Sequence, residues 1–589
     1  MAEIKNPQNE PGGERKLLLI FSLTFLLIVV GQTLFFKNLP KKTQENKPQQ
    51  TAQTSTPPAA AIAPGVQTAS APSSVPAKQA SGETETTIEN NLYKIVFTNR
   101  GAQVKSWVLK QYKDDHGKPL ELVNQQAAQQ FGYPLSLYTY DPSLTSKLNS
   151  GLYVASATGN LAAPNELSFE FSDGDVVAKK TFRFVDSYVV GIETTVTRGG
   201  SVITALPAWP CGFGDDVVPT SFAMQNVVRE NNGDVERLSG KKVVGGGTIN
   251  GPFNWAGPND QYFAAIFLPD NPQAASMVTL HNQFRIPENL DHPDPNKTTQ
   301  VDVLGAAVGV QNAPTVERIF VGPKAVSVLQ TVHSNSAPGH FNGPDLSKVV
   351  DFGKWLGFIA KPLFLWLRWT HDHWVPTYNG WGWAIIILTV LINGALMPLR
   401  LMSMKSALKM QKIQPQMKAI QAKYKAMKMT DPRRADQNKE MQALYAEHKV
   451  NPAGGCLPML LQMPFLFAFY GMLAVAIELR QAHWFWLTNL AAPDHRYVIP
   501  VLILISTYLM QKLTPNAGMD PSQAKMMMLV MPVMLFFFSL KYASGLGLYW
   551  IVGNIIGLAQ QMLINQSELG REMTALRSKQ AQKRILKGK

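Results

Sequence analysis

Polar side chains recur at helical spacing inside strongly apolar, uncharged stretches of the C-terminal part of the chain. Hydroxyls, amides, an indole and a guanidinium can hydrogen-bond and solvate a polar guest, but this set contains no nucleophile–base pair for bond cleavage. The pattern therefore indicates a binding site within a membrane rather than a catalytic centre. Its candidate residues are Thr389, Asn393, Arg400, Gln462, Thr507, Gln511, Trp550, Asn554 and Gln561.

Two interpretations of these side chains are open. Polar groups inside membrane spans often form hydrogen bonds between packed helices. Alternatively, they line a water-filled groove, because polar groups in spans usually face the protein interior or water. Trp550, Asn554, Gly557 and Gln561 step by four, three and four residues along one helical face. Repeated stripes of this kind in several stretches favour the groove.

The elements that must position these residues are six uncharged apolar stretches, long enough or nearly long enough to span a bilayer. The fold class that this predicts is a polytopic α-helical membrane protein with six transmembrane helices, a cytoplasmic helical hairpin and an external all-β sandwich domain. We predict these segments: an N-terminus at 1–16, spans at 17–36, 379–400, 453–478, 496–513, 524–541 and 545–566, a disordered tether at 37–86, the sandwich at 87–340, an amphipathic interfacial helix at 347–372, the hairpin at 401–452 and a basic tail at 567–589.

The distribution of Lys and Arg predicts the orientation. Segment 400–453 contains 12 basic and 4 acidic residues, and segment 568–589 contains 7 basic and 2 acidic residues. Cytoplasmic loops carry the excess of basic residues, so both segments should be cytoplasmic, with 37–379 outside and the N-terminus inside. The net charge of +14 could suggest nucleic-acid binding, but the charge distribution across the membrane explains it, and we expect no DNA partner.

The segments outside the spans have distinct patterns. Residues 17–36 predict an uncleaved anchor rather than a signal peptide, because the apolar run is long and no small-residue cleavage site follows closely. Alternation at Tyr93–Phe97, at Val104–Leu109 and from Tyr188 to Val196 predicts strands of a sandwich. Cys211 and Cys456 fall on opposite sides of the membrane region, so no disulfide is expected.

Two helical segments flank the second span. Basic residues at 354, 361 and 368 recur every seven positions, which predicts that the helix at 347–372 has a charged and an aromatic face, with a kink at Pro362. In the hairpin, Ile413, Met417, Ile420, Tyr424 and Met427 form a heptad seam facing Leu444, Tyr445 and His448. Its basic outer face is available to a partner through Lys418, Lys423, Lys425 and Lys428.

Several classes of function lack their signature. No Asp or Glu lies within a span, although a proton-coupled transporter is expected to have one. No phosphate loop, HExxH motif or Cys/His cluster with metal spacing occurs. We therefore expect no enzyme activity, no metal and no cofactor. A small-solute transporter or channel is the alternative function, and a tethered external enzyme or sugar-binding domain is a third.

The chain resembles the YidC/Oxa/Alb family of membrane protein insertases. The resemblance rests on segment 451–458 (NPAGGCLP), followed by Gln462-Met463-Pro464, and on further motifs in the same order. These are Pro398, Gln414-Pro415, Leu444-Tyr445, 478–481 (ELRQ) and 544–549 (SGLGLY). The anchor, tether and large external domain are similar to the Gram-negative form, which places the chain in the bacterial inner membrane with its large domain in the periplasm.

The resemblance implies a non-enzymatic insertase and chaperone. Its partners would be nascent membrane proteins, the Sec translocon, the ribosome with signal-recognition targeting components, and the lipid bilayer. A hydrophilic groove, open to cytoplasm and lipid, would receive the polar segment of a nascent protein. Its apolar segment would slide against the second and last spans, where Thr389 and Trp550, beside Tyr549, match the family pattern.

One residue departs from that pattern. The groove arginine of the family corresponds to Asn393 here. Arg400 lies two turns closer to the cytoplasm on the same predicted face. Whether Arg400 replaces the missing cation is left open by the sequence.

Overall fold

The computed structural model describes residues 76–572, apart from 115, 288–295, 336–341, 354–355, 378, 425–433, 449, 451–456, 515–520 and 569, and it also describes 575 and 578. The predicted anchor at 17–36, most of the tether, Cys456, Lys425, Lys428 and most of the basic tail lie outside the described residues. The same is true of the side chain of Gln462.

The N-terminal part of the described chain is a β-rich domain. Its strands are β1 Glu85–Glu89, β2 Tyr93–Thr98, β3 Gln103–Lys113, β4 Pro119–Glu121, β5 Ser136–Tyr138, β6 Val154–Ala155, β7 Gly159–Ala162, β8 Asn165–Asp173, β9 Val176–Phe184, β10 Val189–Arg198, β11 Ser201–Val202, β12 Leu206–Trp209, β13 Asn226–Asn231, β14 Asp234–Ser239, β15 Thr248–Asn250, β16 Trp255–Asn259, β17 Phe263–Pro269, β18 Ala275–Pro287, β19 Thr298–Val310, β20 Thr315–Pro323, β21 His333–Asn335 and β22 Asn342–Asp345. Four short helices interrupt them: α1 Gln125–Phe131, α2 Pro142–Ser150, α3 Pro219–Phe222 and α4 Val326–Leu329. The domain is therefore β-rich rather than all-β.

Three larger sheets enclose one core. Their orders are β4-β3-β2-β1-β7, then β14-β13-β16-β17-β20-β10-β9-β8-β6 with β11 beside β10, and β15-β18-β19-β12-β5. Aromatic rings join the sheets, with 4.9 Å between the ring centroids of Phe97 and Phe182 and 6.0 Å between those of Trp107 and Trp209. Face-to-face packing of this kind is the sandwich principle extended to a third sheet.

Strand periodicity predicted this domain well, but its start was wrong. On β10, Val190, Ile192, Thr194 and Val196 are buried and alternate with less buried neighbours, as the pattern predicted. The ordered domain begins before residue 87, because Lys78 exchanges two backbone hydrogen bonds with Ser172, both 3.0 Å. The polar composition of 76–86 resembles a linker, yet its backbone pairs with the domain.

The C-terminal part is a helical unit. Its helices are α5 Gly357–Trp374, α6 Gly380–Ala395, α7 Met397–Lys423, α8 Arg434–Glu447, α9 Leu457–Val475, α10 Val498–Leu513, α11 Pro521–Ser539 and α12 Ser544–Gln566. Among the described helices, α12 alone is long and apolar enough to cross a bilayer, and Gly380–Ala395 with Arg400–Lys423 passes the same test as a pair bent by 48°. Shorter apolar helices occupy Met463–Val475, Val498–Leu513 and Lys525–Ser539. The count of six spans stays a prediction.

The helix α5 distributes its aromatic residues differently from the prediction. Ala360, Leu363, Phe364 and Leu367 are buried against the protein. On the exposed side, Phe358 is 76% and Trp366 is 61% accessible, and Lys361 lies among them. Aromatic and basic side chains therefore share one outward face, which suits the boundary between lipid and water.

The hairpin seam is confirmed where the structure describes it. Ile413 and Met417 on α7 pack with Leu444 on α8, and Ile420 and Tyr445 border this small core. His448, predicted to face the seam, is exposed instead. Met441, one turn before Leu444, takes part in the contact that His448 was expected to make.

Glu317 on β20 gives the β-rich domain a pH-dependent stability. It is buried in the middle of the large sheet, and neither carboxylate oxygen has a hydrogen-bond partner among the described residues. Burial, and secondarily the charge of Asp270, raises the pKa of Glu317 well above its usual range. The folded state therefore keeps a proton that the unfolded state releases, so stability falls as pH rises above the ordinary carboxyl pKa.

We expect Glu317→Gln to stabilise the domain at pH 7.5 by about 1–3 kcal/mol, because the neutral amide removes the proton uptake that the ionised carboxyl of the unfolded chain requires on folding. Thermal unfolding of the full-length protein in detergent between pH 5 and 8.5 should show a flatter pH profile for the variant. Glu166→Gln, on the surface of the same domain, is the matched control and should leave the profile unchanged. A variant with the wild-type slope would contradict the assignment.

Candidate functional site

The helix α12 forms the centre of the candidate site. It packs against α10 and α6, and its polar stripe contacts Thr507 of α10 and Arg400 of α7. Small residues permit the close approach: a Cβ on Gly547 would lie 2.2 Å from Ile499 Cγ2, and one on Gly557 would lie 3.1 Å from the Arg400 guanidinium. The predicted one-face stripe therefore meets two neighbouring helices.

One hydrogen-bond network joins α12 to α10. Asn554 Nδ2 donates to Ser506 Oγ and to Thr507 Oγ1, each at 3.0 Å. Trp550 Nε1, one turn away, approaches Thr507 Oγ1 at 3.4 Å. Ser506 and Thr507 are buried, whereas Trp550 and Asn554 are half-buried, so the network has one accessible side.

A second network gathers around Arg400. Its Nη1 donates to Gln560 Oε1 at 2.6 Å, and its Nη2 donates to the Gly557 carbonyl at 3.3 Å and lies 3.9 Å from Met510 Sδ. Gln560 Nε2 in turn approaches the Asn393 carbonyl at 3.4 Å. The half-buried guanidinium thus connects α7, α10 and α12, although the bend between α6 and α7 separates it from Asn393 along the chain.

Three more predicted site residues are buried, and two of them make local side-chain hydrogen bonds, although Gln561 Oε1 has no partner among the described residues. Thr389 is fully buried and its hydroxyl donates to the Ile385 carbonyl at 2.6 Å. Tyr549 is buried with its ring stacked on Phe469 at 4.4 Å between centroids. Gln561 is buried and donates to Asn565 Oδ1 at 2.8 Å. In this conformation these three residues are not accessible to a substrate.

Two further predicted residues, Asn393 and Gln511, are only half-buried. Asn393 is half-buried and donates to the Thr389 carbonyl at 2.9 Å. Gln511 is half-buried, with Nε2 3.1 Å from Met531 Sδ of α11. The accessible candidates are therefore Asn393, Arg400, Gln511, Trp550 and Asn554.

Sequence reasoning missed two members of the networks. Gln560 accepts the shortest hydrogen bond of Arg400, and Ser506, like Thr507, accepts a hydrogen bond from Asn554. The heptad-like stepping selected Gln561, but an α-helix turns through 3.6 residues, so Gln560 is equally close to the stripe after Gly557. A serine directly before Thr507 in an otherwise apolar run was the available signal for Ser506.

The chemistry that these side chains support is the binding and solvation of polar groups. Its amides, hydroxyls, indole and guanidinium offer hydrogen bonds and one positive charge. The described residues do contain one group of carboxylates close enough to hold a cation, namely Asp215, Asp216 and Asp260, but these belong to the β-rich domain. No predicted role in the helical unit depends on them.

The outward faces of the helices are apolar. Ile505 on α10, Phe537 on α11 and Ile555 on α12 are 46%, 62% and 55% exposed. Large exposed apolar surfaces on adjacent helices mark contact with lipid. The fold and the site therefore define an integral membrane protein, in which helices with lipid-facing sides hold a half-exposed polar site and carry a large β-rich domain.

Comparison with known proteins identifies the family. Residues 373–571 match the family model described as 60Kd inner membrane protein, and residues 85–366 match the YidC periplasmic domain. The membrane protein insertase YidC of Syntrophus aciditrophicus is 30% identical over 585 residues, covering 94% of this chain and 99% of the relative. That of Geobacter sulfurreducens is 34% identical over 501 residues, covering 81% and 85%.

A crystal structure titled as an active YidC insertase with its first transmembrane domain resolved covers 83% of this chain and 94% of its own. It is 19% identical with a TM-score of 0.33, so the assignment rests on the sequences. The chain belongs to the YidC family. It is an inner-membrane protein, and its β-rich domain is the periplasmic domain of that family.

Proposed function

We propose that this protein inserts nascent proteins into the bacterial inner membrane and assists their folding. One observation carries the proposal: a half-exposed polar network around Arg400 and Asn554 lies among helices whose outer faces are apolar. A polar segment can hydrogen-bond there while the apolar segment beside it remains in contact with lipid. The names of the relatives support the same function.

The physical need for such a site comes from the bilayer. Each polar group moved into hydrocarbon without a partner costs several kcal/mol. A polar site part-way across the membrane shortens the dry path that a translocated segment must cross. Burial of the substrate's apolar helix in lipid then supplies the driving force for release. No bond is made or broken, so the activity is not enzymatic.

Bilayer thinning would shorten the path further. The helix α10 has 16 residues, which at 1.5 Å per residue corresponds to about 24 Å, less than the roughly 30 Å of a typical hydrocarbon core. A short hydrophobic span is accommodated by local thinning or by lysine side chains reaching the interface. Lys512, at the end of α10, is exposed and placed to do so.

The contact surface for the substrate's apolar segment would be formed by α6 and α12. Of the residues that correspond to family positions on these helices, Trp550 and Asn393 are half-buried and accessible, whereas Thr389 is not. Because Thr389 is fully buried, its contact with a substrate would require α6 to move relative to α12. We therefore assign the first contact to Trp550 and Asn393.

The cytoplasmic partners are proposed on charge. Segment 400–453 has a net charge of +8 and segment 568–589 of +5, by the counts of basic and acidic residues given above. Basic surfaces of this kind attract ribosomal RNA and acidic targeting proteins through salt-dependent contacts. Action with the Sec translocon is proposed from the family resemblance alone. The transporter alternative gains no support from the relatives.

A first test concerns Arg400. If its charge receives acidic translocated segments, Arg400→Gln should reduce their insertion into proteoliposomes by about tenfold, the order expected for loss of a charged hydrogen bond. Substrates with neutral segments should be affected much less. Gly557→Val should give the same pattern without altering Arg400, because the new side chain displaces the guanidinium from α12.

Lys409→Gln is the matched control, since Lys409 is exposed on the same helix. It should insert both substrates normally. The competing view is that Arg400 serves only to orient the helix by its positive charge. Equal insertion of acidic and neutral segments by Arg400→Gln would favour that view and exclude the proposed role.

A second test concerns topology. With Cys211 and Cys456 replaced by alanine, a single cysteine at Lys179 on the periplasmic domain should react with an impermeant maleimide added to spheroplasts. A cysteine at Lys418 on α7 should react only after the membrane is opened. Both lysines are exposed, so access to the reagent depends on the side of the membrane. Labelling of position 418 from outside would reverse the proposed orientation.

A third test concerns the hairpin. Changing Lys418, Lys423, Lys425 and Lys428 to glutamine should weaken ribosome co-sedimentation and reduce its dependence on salt. Lys423 already pairs with Glu440 at 2.5 Å, so Lys418→Gln alone should weaken ribosome binding more than Lys423→Gln alone. Four lysine-to-glutamine changes on the periplasmic domain provide the control for net charge. Unchanged binding across salt concentrations would rule out the hairpin as the ribosome contact.

A further inference from the structure

The loop between α9 and α10, residues 476–497, connects the helical unit to the periplasmic domain. On its inner side it is bonded to the start of α12, where Ser544 N donates to the Ala492 carbonyl at 2.7 Å and Gly545 N to the Leu490 carbonyl at 2.9 Å. A Cβ on Gly382 of α6 would lie 2.2 Å from the ring of Trp484, so the loop also packs closely on α6. The loop thus holds the outer ends of the helices that carry the polar site.

The other side of the loop contacts the periplasmic domain through polar side chains. Gln481 Nε2 donates to the carbonyls of Lys113 and Asp114 at 2.8 and 3.1 Å. In the opposite direction, Gln261 Nε2 donates to the Ala474 carbonyl at the end of α9, at 2.7 Å. Bonds made from both partners fix the two parts against each other.

Arg480 lies at the centre of this contact. Its guanidinium is 3.5 Å from Asp215 Oδ2, and the two side chains are only 11% and 8% exposed. The guanidinium also lies 5.3 Å from the ring centroids of both Tyr262 and Phe263. A cation over two aromatic faces and beside a carboxylate is bound by geometry that a lysine does not reproduce.

The receiving surface is an acidic socket, formed by the carboxylates of Asp215, Asp216 and Asp260. Their facing oxygens lie within 4.8 Å of one another. Asp260 Oδ1 accepts hydrogen bonds from the backbone of Tyr262 and Phe263 at 2.7 and 2.6 Å, which aims the second oxygen elsewhere.

Asp260 Oδ2 and Asp215 Oδ1 are buried and accept no hydrogen bond from the described residues. Burial and then the neighbouring Asp260 raise the pKa of Asp215 well above its usual range, and Arg480 acts against this shift. Three buried carboxylates at this spacing repel one another when they are charged, and a neighbouring cation relieves that repulsion. The buried Lys324 contributes charge nearby, but its Nζ donates to the Asp260 backbone carbonyl at 2.8 Å.

We propose that the periplasmic domain is latched to the membrane-embedded unit by Arg480 in this socket, and that the latch positions the loop over the outer end of the polar site. Arg480 is then a positioning residue, since it touches no substrate. The latch itself rests on the contacts above, whereas its effect on insertion rests on the proposed function.

Pulsed electron–electron double resonance on the full-length, spin-labelled protein in nanodiscs tests the latch. Spin labels at Lys179 and Lys541, both exposed, report the position of the periplasmic domain relative to the helices. Wild type should give one narrow distance distribution. Arg480→Ala should broaden it, because removing one partner of a buried ion pair raises the undocked population more than about 100-fold.

Further variants distinguish loss of the latch from misfolding of the protein. Arg480→Lys should broaden the distribution less, and the isosteric Asp215→Asn should broaden it without loss of side-chain volume. Gln261→Ala, which removes one hydrogen bond, should give the smallest change. Arg183→Ala, which breaks two exposed ion pairs on the same domain, is the matched control, and its distance distribution should stay narrow. A narrow distribution for both Arg480→Ala and Asp215→Asn would overturn the latch.

Insertion assays with the same proteins separate the latch from its consequence. Broadened distances with insertion reduced several-fold support both parts of the proposal. Broadened distances with normal insertion would overturn the positioning role and leave the proposed function intact. If the wild-type protein inserted no substrate but kept a narrow distribution of spin-label distances, the proposed function would be excluded and the latch would stand.

A divalent cation is the alternative occupant of the socket. Titration with Mn²⁺, followed by its electron spin resonance signal, should show no tight site in wild type. One Mn²⁺ bound per wild-type molecule and lost in Asp260→Asn would overturn Arg480 as the occupant.

Discussion

The structure of the helical unit depends on one constraint, that a polar side chain among apolar helices must find a partner. Asn554 finds it in Ser506 and Thr507, and Arg400 finds it in Gln560 and a backbone carbonyl. These bonds fix how α12 packs on α10 and α7. Asn554 and Arg400 remain half-exposed on one side, so under the proposed function they exchange a protein partner for a substrate group. Helix packing and substrate binding would then be two uses of one set of hydrogen bonds.

The choice between interhelical bonding and a groove, which the sequence left open, divides the predicted residues into two groups by burial. Thr389, Tyr549 and Gln561 are buried and serve packing, whereas Asn393 and Trp550 are accessible. Spacing along a helix identifies a face but cannot tell how deep each residue of that face lies. Depth depends on the neighbouring helix, which the sequence does not place.

The strands and helices were predictable because their periodicity is local. The charges inside the periplasmic domain were not. Lys180 is completely buried, and its Nζ donates to the carbonyls of Gly101, Ala102 and Leu135. A lysine within a strand favours a solvent-facing position, and only the convergence of two distant backbone segments, at 101–102 and at 135, makes its burial favourable. Arg480 belongs to the same class, because its partners come from segments more than 200 residues away.

The bend between α6 and α7 has a mechanical consequence. The helix α7, Met397–Lys423, is 27 residues long, about 40 Å, and extends from this bend into the first half of the predicted hairpin. Arg400 lies close to the bend, and the basic residues lie along the rest of the helix, the arm, whose first turns pack on α12 through Met404 and Leu408 against Ile564. A load applied to the arm acts as on a lever, producing a large excursion at the hairpin and a small rotation at the guanidinium. A partner docked on the hairpin could thus turn the charge within the membrane without entering it.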